Sequence, residues 1–328
     1  MAKVTDRCFE ATGNTCFICD FSPPRSGDPS AVQQAEIDAD FISVAYNPGR
    51  AVRTNSAMLA AGIGQRTGKD VVFTLATRDM NKLATQSLLL GAQLMGLKNV
   101  VVVQGDPFTK RDLETVSPVD DYVPTGLIAA ITQMNQGLDF RGSELRAATE
   151  FCIGGTVDLS RGVESAAALS ARKVGGGAHF LMTQPIFSAE EAARYQDAYA
   201  NQPGGNPPVP VFFGLQILEQ DGVIFSSVPE SVRSELEAGR SGVDIALQLY
   251  HQLQTAAIHN IYLVPPIRRG GARNYAAARD TAWLGDSFLV VSDQVDSQVV
   301  DKFAAVIGHE VSHVVAEHAN ERLSAESA

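Results

Sequence analysis

Asn99-Val100-Val101-Val102-Val103-Gln104-Gly105-Asp106-Pro107 is a run of four valines that ends in an amide, a glycine and a carboxylate. A strand with one wet face alternates apolar and polar residues, whereas one that is apolar throughout is buried on both faces, as in a parallel sheet. Gly105-Asp106-Pro107 supplies the turn residues that stop the run. Ala/Leu-rich segments lie on either side, at 80–96 and 124–136. A doubly buried strand between two helices is the repeating unit of an α/β fold.

The unit recurs along the chain. Strands are expected at 15–20, 40–46, 70–76, 99–104, 150–156, 178–183, 209–216 and 259–264. Helices are expected at 29–37, 54–67, 80–96, 124–136, 162–175, 188–200, 230–254 and 271–283. Eight alternations predict a closed (β/α)8 TIM barrel. An open doubly wound sheet is the alternative, and it is weakened because no GxGxxG follows the first strand. Pro23-Pro24 closes strand one, Gly175-Gly176-Gly177 stops the fifth helix, and 201–210 is a Pro/Gly-rich loop. The 107–123 connection is long for a βα loop, which suits a cover over the barrel mouth. The barrel is expected to occupy residues 1–285, with a helical appendage at 286–328 whose helix signal runs from about 298 to 324.

Composition agrees with a globular chain of 328 residues, 45% hydrophobic and 19% charged. The net charge of -11 argues against nucleic acid as a partner. There is no apolar run of membrane-span length and no leader pattern, so a cytoplasmic protein without a membrane partner is expected. Cys16 and Cys19 form a lone CxxC, which lacks the second pair that a zinc site would need, so Cys8, Cys16, Cys19 and Cys152 are read as structural thiols.

A TIM barrel carries its chemistry at the C-terminal ends of its strands. Those ends are Asp20; Tyr46-Asn47; Thr74 and Thr77, followed by Arg78-Asp79; Gln104-Gly105-Asp106; Gly155-Thr156; Thr183-Gln184; Gln216; and Pro265-Pro266. The set has carboxylates, amides and hydroxyls, but no His or Cys nucleophile and no acidic cluster, so no metal is expected. Amides read the edge of a polar ring through paired donors and acceptors, and a carboxylate can protonate or orient a ring nitrogen. An organic cofactor with a heterocyclic substrate suits such a mouth. Plainer readings are also open. Asp106 and Asp20 serve equally as loop caps, Gln184 as a tie for its own loop, and Arg78-Asp79 as a surface ion pair of little energetic weight.

Several stretches, taken in order, carry a resemblance: Leu89-Leu90-Gly91-Ala92, Gly96-Leu97-Lys98-Asn99-Val100, Gln104-Gly105-Asp106-Pro107, Arg172-Lys173, Gly177-Ala178 and Thr183-Gln184-Pro185-Ile186-Phe187. Over roughly residues 15–270 the chain resembles the methylenetetrahydrofolate reductases. Arg78-Asp79-Met80-Asn81, Asn135-Gln136-Gly137, Ser227-Val228-Pro229 and Tyr262-Leu263-Val264-Pro265-Pro266 resemble in particular the reductase half of bacterial proteins that also carry a homocysteine methyltransferase.

The resemblance implies FAD across the strand ends, reduced by NADH or NADPH. It implies hydride transfer to 5,10-methylenetetrahydrofolate, giving 5-methyltetrahydrofolate for methionine synthesis. Asp106 matches the aspartate beside the flavin and the pterin. Thr74, Thr77, Gln104 and Gly105 border the flavin, and Lys173 matches a lysine near the cofactor phosphates. Gln184 matches a folate-binding glutamine and Phe187 an aromatic near it, with Gln216 counted on the same side. Asp20 stands where the family has the glutamate of Glu-x-x-Pro-Pro, its general acid. The chain departs further at Gln104 (arginine in Arg-Gly-Asp), Thr74 (often histidine) and Ala166 (often acidic). The family's dimers and tetramers imply a homo-oligomer.

Two alternatives stand beside this reading. One is a folate- or flavin-binding barrel without turnover. The other is a zinc peptidase, because His309-Glu310-Val311-Ser312-His313 is an HExxH that resembles the active-site helix of bacterial metallopeptidases. Catalytic zinc needs three protein ligands, and that family's third, on a later helix, has no counterpart before Ala328. His318, five residues past His313, points away from the shared face. The appendage is therefore expected to be a fusion remnant or a helix packed on the barrel.

Overall fold

The computed structural model describes residues 1–10, 15–204, 208–224, 228–268 and 273–278. Its eight strands are β1 (Cys16–Phe21), β2 (Phe41–Val44), β3 (Asp70–Ala76), β4 (Asn99–Val103), β5 (Cys152–Val157), β6 (Phe180–Ile186), β7 (Val211–Gln216) and β8 (Asn260–Val264). Each pairs parallel with the next, and β8 pairs with β1, closing the barrel in sequence order. This is the expected (β/α)8 fold.

The helices are α1 (Val4–Glu10), α2 (Ser56–Thr67), α3 (Lys82–Leu94), α4 (Pro124–Asn135), α5 (Val163–Gly175), α6 (Ala189–Ala200), α7 (Glu230–Glu237) and α8 (Gly242–Thr255). Two expectations need correction. The segment 29–37 is a 3-10 helix, Pro29–Ala35. The single helix expected at 230–254 is two, because Gly239 (φ 94°) ends α7 and Ser241 caps α8 by accepting from the Asp244 amide. Of the segment expected at 271–283, residues 273–278 are described, and 275–278 are helical. The 286–328 appendage and its HExxH lie outside the described residues.

Strand alternation sorts the core into two clusters. Side chains facing the helices, such as Val71, Phe73 and Leu75, join the large outer cluster. Cys16, Ile18, Phe41, Val72, Val101, Cys152, Phe180, Met182 and Phe212 form the inner one, with Val4 of α1 among them. Gly154 makes room there, since a Cβ would stand 2.5 Å from Phe180 and 2.8 Å from Val101. Phe180 meets Phe212 edge to face at 6.0 Å.

The sequence reading placed no element before strand one, yet α1 closes the N-terminal end of the barrel. Val4 is fully buried, and its amide donates to Asn99 Oδ1 (2.9 Å). Asn99 Nδ2 donates in turn to the Ala2 and Val71 carbonyls (2.9 and 3.1 Å). The opposite end is left for the site.

Candidate active site

Asp20 is the penultimate residue of β1, on the inner face two residues beyond Ile18, and is only 4% exposed. Both its oxygens are engaged. Tyr262 Oη donates to Oδ1 at 2.9 Å, and Arg273 Nε donates to Oδ2 at 3.2 Å. Burial, reinforced by the Asp20 carboxylate, pushes the Tyr262 hydroxyl well above its ordinary range, so it remains a donor. Tyr275 stacks on Phe21 (5.0 Å between centroids), and its hydroxyl oxygen accepts the Ser22 amide proton at 3.0 Å. Ser22 Oγ, two residues beyond Asp20 on the same strand parity, is buried without a partner. A buried hydroxyl without a partner, two residues from a buried carboxylate, leaves unused hydrogen-bonding capacity at this end of β1.

A second group sits at the ends of β3 and β4. Thr77 is 2% exposed; its amide donates to the Val103 carbonyl (3.1 Å) and its hydroxyl to the Gln104 carbonyl (3.4 Å). Arg78 forks onto both oxygens of Asp79 at 2.6 and 2.8 Å, donates to the Asp106 carbonyl at 2.5 Å, and stacks over Phe108 at 4.1 Å. Its side chain is 8% exposed, so the plainer reading of the sequence, a surface ion pair, does not hold. Burial, then Asp79, pushes the Tyr46 hydroxyl up to about 12.

Gly105 turns the chain at φ 87°, and a Cβ there would lie 3.4 Å from those of Ala76 and Arg78. That turn leaves the Asp106 side chain exposed while its carbonyl is held. The long loop is tied back over this end. The Val119 amide donates to the Arg78 carbonyl at 2.8 Å, and Arg50 pairs with Asp112 at 3.1 Å. Thr74 is half-buried, and its carbonyl accepts the Ser56 hydroxyl proton at 2.7 Å.

On the β6–β7 side, the register slips between Met182 and Pro185, which lets a proline sit inside a strand. Thr183 Oγ1 bridges the slip by accepting from the Gly214 amide and donating to the Gln184 carbonyl, both at 2.8 Å. Gln184 is exposed and Gln216 is buried. Phe187 is half-buried against Leu218, Val228 and Leu236.

Lys173 differs from the rest. It reaches the end of β5 through the helix–sheet layer, its stem passing Gly155 and its ammonium bonded to the Thr156 carbonyl. It is 5% exposed, and burial lowers its pKa to about 8.

Nine of the ten expected residues, Asp20, Thr74, Thr77, Gln104, Gly105, Asp106, Gln184, Phe187 and Gln216, stand in the last residues of a strand or just beyond its C-terminal end. Lys173 lies behind them. Sequence reasoning missed Tyr262 and Arg273 as partners of Asp20. Tyr262 was within reach, since the 1–8 closure pairs it with Ile18 and strand parity points it inward. Arg273 follows the last strand and carried no periodic signal. Among the described residues no group of three His, Cys, Asp or Glu could hold a metal, and no helix is long and apolar enough to cross a membrane.

The rim's donors and acceptors fit a flat heterocyclic cofactor. Gln104 and Asp106 are exposed at a glycine turn where the backbone can approach a ring closely, and Thr77 supports that turn from below.

Comparison with known proteins agrees with the barrel. The sequence model of the family methylenetetrahydrofolate reductase matches residues 5–241, and that of peptidase family M48 matches residues 281–328. Among solved structures, a Clostridium thermocellum protein described as binding two copies of 5-methyl-5,6,7,8-tetrahydrofolic acid is 12% identical. The match covers 85% of this chain and 98% of that one, with a TM-score of 0.59. A 2,3-dimethylmalate lyase is 14% identical over 96% of this chain and 98% of its own, with a TM-score of 0.45.

Proposed function

The chain belongs to the methylenetetrahydrofolate reductase family, and from that premise we propose that it reduces 5,10-methylenetetrahydrofolate to 5-methyltetrahydrofolate, taking electrons from NADH or NADPH through FAD. The observation that carries this reading is the shared C-terminal rim. It presents a buried, oriented carboxylate (Asp20), an exposed one (Asp106) and two amides (Gln184, Gln216) around the barrel mouth. A protein of the same fold that binds 5-methyltetrahydrofolate agrees with a folate occupant.

In this reading Thr74, Thr77, Gln104, Gly105 and Asp106 hold the ring system of the flavin, which when bound supplies the hydride. Asp106 and Gln184 orient the pterin by its polar edge, Gln216 adds an amide, and Phe187 gives an apolar wall. Asp20, held as a carboxylate by Tyr262 and Arg273, stabilises the positive charge that develops on the methylene bridge as the five-membered ring opens. An aspartate is one methylene shorter than a glutamate, and misplacement by about 1 Å costs on the order of a hundredfold in rate. Tyr262 and Arg273 compensate by fixing both carboxylate oxygens in one orientation. The loop at 107–123, tied to Arg78, excludes water over the β3–β4 end.

The test is spectroscopic. The protein as isolated, or after addition of FAD, is expected to be yellow, to bleach under NADH or NADPH, and to be reoxidised by methylenetetrahydrofolate. A colourless protein that takes up no FAD overturns the assignment. One observation favours a second reading, a folate-binding barrel without turnover: Lys173 is buried on a carbonyl rather than turned to the mouth. That reading predicts folate binding with no flavin reoxidation, even in Asp20→Glu.

A further inference from the structure

Asp106 is exposed, and among the described residues its carboxylate has no hydrogen-bond or ion-pair partner. Its aim is therefore set by the backbone that carries it. Gly105 turns there at φ 87°. Pro107 has no N–H to offer, and it keeps the residue before it out of the helical region. Two side chains from the end of β3 supply the hold. Thr77 donates its hydroxyl to the Gln104 carbonyl at 3.4 Å, and Arg78 Nη1 donates to the Asp106 carbonyl at 2.5 Å. The second bond is short and charge-assisted, so it is the stronger of the two.

Resting on the reading that Asp106 serves the bound ring, we propose that Arg78 is its positioning residue: one buried guanidinium that fixes the turn carrying the carboxylate, and whose own peptide carbonyl ties down the far end of the 107–123 loop.

All three nitrogens of the fork are used. Nε and Nη2 take both oxygens of Asp79 at 2.6 and 2.8 Å, which fixes the plane and leaves Nη1 aimed at Asp106. The same group lies over the Phe108 ring at 4.1 Å, so the residues on both sides of Pro107 are held by one side chain. A lysine would offer a point charge in place of this fork. The Arg78 carbonyl accepts the Val119 amide proton at 2.8 Å. Asp106 and Val119 thus meet on one residue, and the segment between them is a closed loop with both feet on Arg78. The Arg50–Asp112 pair within it is half-exposed and is a lesser tie.

The two feet differ in kind. The one at Val119 is backbone to backbone and survives any side chain at position 78. The one at Asp106 depends on the guanidinium. Replacing that group frees the Asp106 end alone, and any loss in ligand binding then passes through the Asp106 carboxylate. Two residues that act through one contact give non-additive effects, which separates positioning from a general loss of fold.

The experiment uses the full chain as wild type, Arg78→Lys, Asp106→Asn and the double variant. Affinity for 5-methyltetrahydrofolate is measured by titration, and trypsin cleavage after Lys110 and Arg111 by mass spectrometry. Each single variant should weaken folate binding about tenfold, the measure of one lost hydrogen bond to a charged group, and the double variant no further than Asp106→Asn alone. Cleavage in the loop should be on the order of tenfold faster in Arg78→Lys and unchanged in Asp106→Asn, which keeps the carbonyl that Arg78 holds, with cuts outside the loop unaltered in both. Loop cleavage at the wild-type rate in Arg78→Lys, losses in affinity that add in the double variant, or an Asp106→Asn that binds folate like wild type each overturns the proposal. If Arg78→Lys does not fold, Asp79→Asn takes its place, loosening the fork while keeping the shape of the pair, with the same pattern expected at smaller size. Additive losses in a protein that binds folate leave the functional reading standing and remove the role of Arg78. A wild type that binds neither folate nor flavin sinks that reading instead, and the trypsin comparison then decides whether Arg78 holds the turn.

Discussion

Arg273 reaches Asp20 from beyond the last strand, with side-chain exposures of 9% and 6% for the pair. Removing one partner of such a pair leaves a buried charge uncompensated, which costs about 3–5 kcal/mol. Arg273→Met is therefore expected to lower the urea midpoint by that measure. Tyr262→Phe, which removes one neutral donor to a charged acceptor, is expected to cost about 1.5–3 kcal/mol. If Arg273→Met melts like wild type, the pairing is not what holds Asp20. Lys173 gives a pH test at the same scale. Its folded pKa of about 8 lies below the ordinary 10.5, with burial as the cause. Between those values the unfolded chain holds a proton that the folded chain has released. The contribution of this group is therefore complete above 10.5 and is lost as pH falls through 8, a swing of ~3 kcal/mol. The stability of Lys173→Met relative to wild type is expected to fall by about that amount from pH 7 to 10.5, read from urea midpoints in reducing buffer. A gap that does not change with pH removes the buried-ammonium account.

At the scale of elements, the turn after β4 has the sharpest requirement. Gly105 combines φ 87° with neighbours at 3.4 Å on two sides, so Gly105→Ala strains the backbone and crowds Arg78 together. Positive φ at a non-glycine costs of order 1–3 kcal/mol. We expect Gly105→Ala to lower stability by that amount and to weaken ligand binding at Asp106, measured by titration with FAD and with 5-methyltetrahydrofolate. Unchanged binding would show that Asp106 does not depend on this turn. The strands were legible because doubly buried segments are written as continuous apolar runs, as in Val100–Val103. Their C-terminal ends then located the rim without further information. The partnerships across the rim were not written in any local pattern. Tyr262 and Asp20 are joined by barrel closure, which no local period records, and Arg78 looked like a surface residue because the long loop that covers it is polar. The break between α7 and α8 was hidden because Gly239 lies within a segment that is amphipathic on both sides. α1 is seven residues with one fully buried side chain, too short for any periodicity to register.

The whole molecule separates floor from mouth. At one end α1 closes the inner cluster through Val4, while the Ala2 amide donates to Asp70 Oδ1 at 2.7 Å and Asn99 bonds the chain on both sides of it. At the other, the rim residues stand on strand ends whose positions are fixed by pairing around the closed barrel. Stability and chemistry are divided in this way in barrels generally, with the N-terminal face serving the former. A chain lacking residues 1–10 therefore exposes Cys16, Ile18, Phe41, Val72 and Val101 to water and leaves Asn99 with two unmet groups. The burial of Val4 alone is worth about 1.5–3 kcal/mol, and each unmet buried polar group costs about 1–3 kcal/mol more. A fall in stability of about 5 kcal/mol is expected, with increased binding of a hydrophobic dye. The affinity of the remaining folded fraction for 5-methyltetrahydrofolate should match that of the full chain at temperatures well below its melting point. A truncated chain that keeps its stability would show that α1 is an ornament on the floor. One that stays folded but loses folate would show that the two ends of the barrel are coupled, and the rim would then have to be understood together with the helix that plugs the far side.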